Sequence, residues 1–395
     1  MADNQIFIPE TPAELTGTWL ASALAGFNSP APIIDYVAQE VLGEGEGFMG
    51  DLLRLRPNYT QGGENYPETL IAKLPKLANR TMGELLGAYE RENMFYMTMA
   101  NELPVATPAL YYAELDRDAG SEQQLKILQT IDKWPGWTHG MVGKLGTWVA
   151  SKKQRRYILL IEDITDAAPG NQIAGADEIK ACLIVEELAR MHAAYWRSET
   201  LAEHFWLLPL DVDGRMKFAM SKKSLPAFTQ TFGDVLAAGL QSHVDRVMSS
   251  YIDDLHALCA APATLLHGDM RLDNVFFRQP KSEGQTESQT KEVVFFDWQL
   301  VRRGPAAYDL AYLLSGCLTP EFGSADGLLD HYHAALVEHG VQDYSRADLG
   351  RDYELGLRVV MGSLVTVDQI NLGDDQGITM MRMWIERLLG RLSVL

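Results

Sequence analysis

The segment from Leu265 to Asp297 constrains this chain more than any other. Leu265-Leu266 and Val275-Phe276-Phe277 are short apolar runs, and the polar-rich stretch His267 to Asn274 lies between them. Runs of this kind read as buried strands, so the loop between them is pinned at both ends. Loops held by a rigid scaffold are where chemically active side chains collect. A third apolar run, Val293-Val294-Phe295-Phe296, ends on Asp297. The pattern predicts that Asp269 and Asn274 on one loop are joined by Asp297 from a strand end. The competing reading is an Asx turn, with Asp269 and Asn274 bonding their own backbone.

These three side chains have one shared use. A carboxylate can engage a hydroxyl while Asn and Asp oxygens hold Mg²⁺ on phosphate oxygens. That set, with the Asn five residues after the Asp, moves a phosphoryl group from ATP to an alcohol. A carboxylate directly after a buried strand, as at Asp297, is partly desolvated, and this is costly unless a cation or donor compensates. Mg²⁺ suits such a place, since it favours one or two carboxylates with phosphate and water. The alternative for Asp297 is a surface aspartate.

Upstream, Leu70-Ile71-Ala72-Lys73-Leu74 is an apolar strand carrying one cation. Lys73 there needs an anionic partner, and Glu92 on the following helix is a candidate. Glu90 competes with it, because two residues span about 200° of a helix and only one of the pair can face the lysine. Gly45-Glu46-Gly47-Phe48-Met49-Gly50 fits G-x-G-x-x-G. Gly45 and Gly47 would let backbone amides approach phosphate, though a hairpin turn explains them equally. Glu162-Asp163 ends the last strand before a long helical stretch. It reads as an adenine-facing backbone edge or as an ordinary connection.

Along the chain, Thr11-Pro12-Ala13-Glu14 reads as a capping box for a helix over residues 12 to 26. Strands are expected at 33–42, 50–56, 69–74, 109–115 and 157–161, with one long helix over 80–103. Beyond 163 the pattern is helical, interrupted only near 264–266, 275–277 and 293–296. Residues 278–292 read as a polar hairpin loop. The segment 114–156, with Trp134 and Trp137, reads as an ordered insertion. The division predicted is an α+β N-terminal region, 1–163, and a helical C-terminal region, 164–395.

Composition sets outer limits. The 395 residues are 47% apolar and 22% charged, which suits a globular chain of two domains. Lys and Arg number 34 against 53 Asp and Glu, a net charge of -19. This weighs against nucleic acid or an anionic membrane as partner. No apolar run approaches the roughly 18 residues of a membrane span. The first residues lack the basic and apolar regions of a signal peptide. Cys182, Cys259 and Cys317 form no CxxC pair, so buried thiols in a cytoplasmic protein are expected. None of this fixes an oligomeric state.

Four stretches carry a family likeness: Leu-His-Gly-Asp-Met-Arg-Leu-Asp-Asn-Val (266–275), Phe-Phe-Asp-Trp-Gln-Leu-Val (295–301), Gly-Pro-Ala-Ala-Tyr-Asp-Leu-Ala-Tyr-Leu (304–313) and Leu-Ala-Arg-Met-His-Ala-Ala-Tyr-Trp (188–196). Together they resemble the aminoglycoside phosphotransferase and choline kinase superfamily, closest to its ecdysteroid-kinase-like (CHK-type) group. The resemblance implies a bilobal protein-kinase-like fold and an ATP- and Mg²⁺-dependent transfer to a small-molecule alcohol. It implies that Asp269 is the catalytic base, Asn274 and Asp297 the Mg²⁺ ligands, and Lys73 with Glu92 the phosphate-anchoring pair. His267 and Asp309 would support the loop rather than do chemistry. Gly268 stands where protein kinases have Arg, and Trp298-Gln299 replaces their Phe-Gly; both fit the small-molecule branch. The acceptor pocket is expected in the helical region near Trp196, Trp298 and the final helices. A catalytically inert nucleotide-binding scaffold is the other class considered.

Overall fold

A computed structural model of the chain describes residues 6–28, 30–42, 50–116, 127, 130–134, 138, 155–236, 241–278, 292–365 and 375–393. It divides into two compact units. One comprises Met1–Glu102, Thr107–Ala119 and Gly146–Thr165; the other comprises Leu103–Ala106, Gly120–Leu145 and Asp166–Leu395.

The first unit is an antiparallel sheet of β1 (Ile33–Leu42), β2 (Gly50–Gln61), β3 (Leu70–Pro75), β4 (Leu110–Leu115) and β5 (Tyr157–Glu162), in the order β1-β2-β3-β5-β4. Successive side chains of a strand point to opposite faces, and β3 shows what this does here. Leu70, Ala72 and Leu74 join Trp19, Leu20 and Leu24 of α1 (Gly17–Leu24) in one apolar core, with Ile158 and Leu160 of β5. Lys73 is therefore turned to the other face of the sheet. The expected helix over 12–26 is shorter, because Thr16 caps α1 by accepting from Trp19 N–H. Glu14 does reach back to the Thr11 N–H at 3.1 Å, but it closes a separate 3-10 turn, Pro12–Glu14.

The single helix expected over 80–103 is two, α2 (Arg80–Leu86) and α3 (Ala88–Thr98). Gly87 between them has φ 66° and takes α2's C-terminal cap, donating to Glu84 and Gly83 carbonyls. Left-handed glycine after a helix is a common stop, and the chain restarts in a new direction.

The second unit is mainly helical. Its helices are α4 (Glu178–Ala194), α5 (Gly214–Leu236), α6 (Gln241–Cys259), α7 (Ala307–Cys317), α8 (Asp326–Glu338), α9 (Arg346–Leu364) and α10 (Asp375–Leu392). All residues of α7 are buried, and α9 and α10 pack on it. Each buried leucine there contributes on the order of 1.5–3 kcal/mol. Two strands escaped the sequence pattern. β6 (Ala167–Pro169) joins β8 (Val275–Arg278) and β9 (Glu292–Phe295) in the order β6-β8-β9, and β10 (Arg302–Pro305) pairs with β7 (Ala263–Leu266). Both are too short to show a period, and β10 carries two arginines and a proline.

Cys317 is buried, whereas Cys182 and Cys259, expected to be buried, are partly exposed; all three are free thiols. Among the described residues no helix is long and apolar enough to cross a membrane. The glycines Gly45 and Gly47, most of the 114–156 insertion and the 279–291 loop lie outside the described residues.

Candidate active site

The loop from His267 to Asn274 leaves β7 and enters β8. Its first turn is held by Asp309 on α7, which is fully buried. The Asp309 carboxylate accepts from His267 N–H at 2.7 Å and from Gly268 N–H at 2.9 Å. Its Oδ2 also lies 3.4 Å from His192 Nε2 on α4. His192 thus braces the loop through Asp309, with Tyr332 at 2.7 Å on its other nitrogen. A buried carboxylate is tolerated where several donors converge on it, and here they converge from the loop itself.

Gly268 has φ 83°, and a Cβ there would sit 2.0 Å from the Leu300 carbonyl oxygen. No side chain fits. The arginine that protein kinases carry at this point is excluded by this backbone contact.

Asp269 follows, and its carboxylate is fixed from two sides. Tyr312 on α7 donates to Oδ1 at 2.7 Å. Asn274 Nδ2 donates to Oδ2 at 3.1 Å and to the Asp269 carbonyl at 2.8 Å. Both side-chain amide hydrogens of Asn274 are thereby committed, which leaves its side-chain Oδ1 to act as a ligand. Arg271 Nε lies 3.7 Å from Asp269 Oδ2. Burial alone would lower the affinity of this guanidinium for its proton, but the Asp269 and Asp273 carboxylates outweigh it and hold it charged.

The hairpin β8–β9 brings in Asp297. Val275 pairs with Phe295, and Phe296 N–H donates to the Asn274 carbonyl at 2.9 Å. Asn274 and Asp297 therefore sit at the same end of one ladder. Asp297 has φ 65° and ψ 71°. A non-glycine residue held there carries strain of about 1–3 kcal/mol, of the kind that collects at functional sites.

His267 ties the two sources together. Its Nε2 donates to the Phe296 carbonyl at 3.0 Å, while Nδ1 accepts from Asp269 N–H at 3.3 Å. Burial of the ring pushes its pKa below the usual imidazole range, consistent with one neutral tautomer bonded at both nitrogens.

In the first unit, Lys73 Nζ lies 2.5 Å from Glu92 Oε1, and both side chains are buried. Glu90 is taken instead by Arg155, at 2.9 Å. Glu162 accepts from Ala109 N–H at 3.1 Å. Asp163 is gripped by Arg54 at 2.7 and 3.2 Å, so its carboxylate is committed to β2.

The two tryptophans are not with the loop's reactive face. Trp298 is fully buried, packs on His267 with ring centroids 4.6 Å apart, and donates to the Phe295 carbonyl. It backs the site and offers no surface to an acceptor. Trp196 donates to Asp343 at 3.2 Å and its ring lies 5.2 Å from that of Tyr344; the next residue, Arg197, bonds Ala263 at the end of β7 away from the loop. What does meet the loop from the final helices is Met380, 3.6 Å from Arg271 Nη1, and Trp384, whose ring lies 4.8 Å from that of Tyr312. Gln172, wholly buried, accepts from Leu272 N–H at 2.8 Å. Tyr312, Arg271, Trp384 and Gln172 were not read from the sequence as site residues. Tyr312 had a signal: it lies one helical turn after Asp309, on the same face.

Among the described residues no three His, Cys, Asp or Glu side chains gather as a metal site. The donors at hand, an amide oxygen and a strand-end carboxylate, suit a hard cation that completes its shell with phosphate and water.

The ecdysteroid kinase-like family model matches residues 44–342 of the chain. No curated protein matches it by sequence. A microcompartment-associated aminopropanol kinase superposes with a TM-score of 0.52 at 11% identity, covering 90% of this chain and 91% of that one. The GDP complex of wild-type aminoglycoside 2'-phosphotransferase-IIIa gives a TM-score of 0.51 at 14% identity, over 94% and 97%. At these identities the likeness is one of fold.

Proposed function

Because the chain belongs to the ecdysteroid kinase-like family, we propose that it transfers the γ-phosphoryl group of ATP to a hydroxyl of a small molecule, with Asp269 as the base. The observation that carries this reading is the double fixing of the Asp269 carboxylate by Tyr312 and Asn274. A side chain so held spends no free energy on orientation when the acceptor arrives. Its Oδ2 faces Asn274 and Arg271, and the acceptor hydroxyl would give up its proton to this carboxylate. The acceptor oxygen then bonds to the γ-phosphorus as the bond to the β,γ-bridging oxygen breaks, and ADP leaves.

Asn274, through its side-chain Oδ1, and Asp297, through its carboxylate, would hold Mg²⁺. When bound, Mg²⁺ supplies charge neutralisation on the transferring phosphate. Lys73, held by Glu92, is the proposed contact to the nucleotide phosphates, with Gly45 and Gly47 upstream of it. Most of the rate gain is then positioning and electrostatics. The solved relatives are named for aminopropanol and aminoglycosides, so amino alcohols belong in the acceptor screen beside steroids and macrolides.

The test is a screen of hydroxylated metabolites for ATP-dependent gain of a phosphate mass, with Asp269→Asn as control. That variant should keep the thermal shift given by Mg-ATP and lose turnover with any acceptor found. Retained turnover would sink the assignment of the base. An inert scaffold would instead bind Mg-ATP and show neither acceptor phosphorylation nor Asp297-dependent ATP hydrolysis.

A further inference from the structure

The roll of α3 about its own axis decides whether Glu92 meets Lys73. Glu90 and Glu92 are two residues apart, so they lie about 200° apart around the helix and about 3 Å apart along it. Lys73 holds Glu92 at 2.5 Å on one side. A single contact leaves a helix able to turn about it, and a second contact well round the helix stops that turn. Arg155 supplies the second, with Nη1 donating to Glu90 Oε2 at 2.9 Å.

The same guanidinium also holds α2. Its Nε and Nη2 donate to Glu84 Oε2 at 3.1 and 2.9 Å. Gly87, at φ 66°, separates the two helices and has open space where a side chain would stand. Arg155 therefore joins α2 to α3 across their break.

Its own anchor is the sheet. Arg155 lies two residues before Tyr157, the first residue of β5, and Leu159 on that strand pairs with Lys73. Tyr157 shares a strand face with Leu159. Its hydroxyl donates to Glu84 Oε2 at 3.1 Å, and its ring lies 5.4 Å from that of Tyr89 on α3. The Arg155 guanidinium sits 5.4 Å from the centre of the Tyr157 ring, and Arg80 donates to the Arg155 carbonyl at 2.8 Å. The Arg155 and Glu84 side chains are 9% and 3% exposed, so solvent screens this pair less than it would a surface one. The apolar cluster here is small, with Tyr89, Leu115 and Tyr157 as its buried members. The orientation of this end of α3 therefore leans on its ion pairs.

We infer that Arg155 is a positioning residue for Lys73: by fixing the roll of α3 it presents Glu92 to the lysine, and so aims the ammonium at the nucleotide phosphates. The inference rests on the reading of Lys73 as the phosphate contact.

Calorimetric titration of the full chain with Mg-ATP tests it. Glu90→Ala cuts the arm to α3 and leaves Arg155 on Glu84. It should weaken Mg-ATP about tenfold, the value of one hydrogen bond to a charged group. Arg155→Met should weaken it at least as much. Should Arg155→Met fail to fold, Glu90→Ala carries the test, since the carboxylate it removes is 14% exposed. Glu92→Gln should also weaken Mg-ATP, and adding Glu90→Ala to it should cost less than about twofold more, because both act through one carboxylate. A change that merely loosened the fold would cost its full factor in either background. The inference is overturned if Glu90→Ala binds Mg-ATP as the wild type does, or if its effect adds in full to that of Glu92→Gln. Wild-type affinity in Lys73→Met would instead overturn the reading of Lys73, and this inference with it.

Discussion

Tyr312 donates its phenolic hydrogen to Asp269 Oδ1 at 2.7 Å, from the helix on which Asp309, one turn earlier, holds the backbone of the same loop. One helix thus sets both where the loop runs and where its carboxylate points. Tyr312→Phe removes the second function and spares the first. It should lower kcat about tenfold, the value of one hydrogen bond to a charged group. The KM for ATP should stay within about twofold, because the lost bond orients the proposed base rather than the nucleotide. Steady-state ADP release with a true acceptor measures both.

Gly268→Ala tests the tight passage beside Leu300. The new Cβ would meet the Leu300 carbonyl oxygen at 2.0 Å, at a residue with φ 83°. The backbone must shift or the residue must endure strain, and the expected loss is about 3 kcal/mol or more. The urea midpoint should fall accordingly. An unchanged midpoint would show that the loop has room this structure does not give it.

The Lys73–Glu92 pair separates stability from function. Removing one partner leaves a buried charge uncompensated, which typically costs about 3–5 kcal/mol. Lys73→Met and Glu92→Leu should each destabilise strongly, while the double variant should recover much of the loss. If Lys73 contacts nucleotide, all three variants should lose the Mg-ATP thermal shift, the recovered double variant included. A double variant that regains stability and still binds Mg-ATP would make the pair purely structural.

Asp213 gives a pH dependence with a definite sign. It is bonded by Arg302 at 2.9 and 3.0 Å and lies 3.1 Å from Lys217. Burial alone would push its pKa up, but Arg302 and Lys217 outweigh burial and hold it well below the usual carboxylate range. Its folded pKa is thus under its unfolded value of about 3.9, so its contribution is fully present above that pH and is lost as the pH falls. Arg302 lies on β10, paired with Leu266 at the entrance to the loop. Between about pH 4 and pH 2 the unfolding free energy of the wild type should fall more steeply than that of Asp213→Asn. Urea titrations across that range decide it, and equal slopes would contradict the prediction.

The parts of the site that were legible in the sequence are those that local chain order assembles. Asp269 and Asn274 share one loop, Asp297 ends the strand paired with the next one, and Lys73 needed only a counter-charge on the following helix. The family likeness rested on the same stretches. Tertiary contacts were not legible in that way. Trp298, next to Asp297, was expected beside the acceptor, but after the left-handed turn at Asp297 its indole lies in the core. Gln172 reaches Leu272 across 100 residues, and no periodicity carries that information. The break at Gly87 was missed for a different reason: a glycine within a helical pattern is often tolerated, and only its positive φ marks it as a stop.

The last helix has a consequence for how the chain comes into being. Met380, Trp384 and Arg387 on α10 touch Arg271, Tyr312 and the Gln172 carbonyl, and Gln172 in turn holds Leu272. Every residue that bears the proposed chemistry has been synthesised once Asp297 is added. The clamp on their loop arrives only when synthesis passes Arg387. The braces on α7 are in the chain soon after the loop they hold, but those on α10 follow Asp297 by more than eighty residues, so a chain cut short before α10 would keep the Asp309 and Tyr312 bonds and lack those of Met380, Trp384 and Arg387.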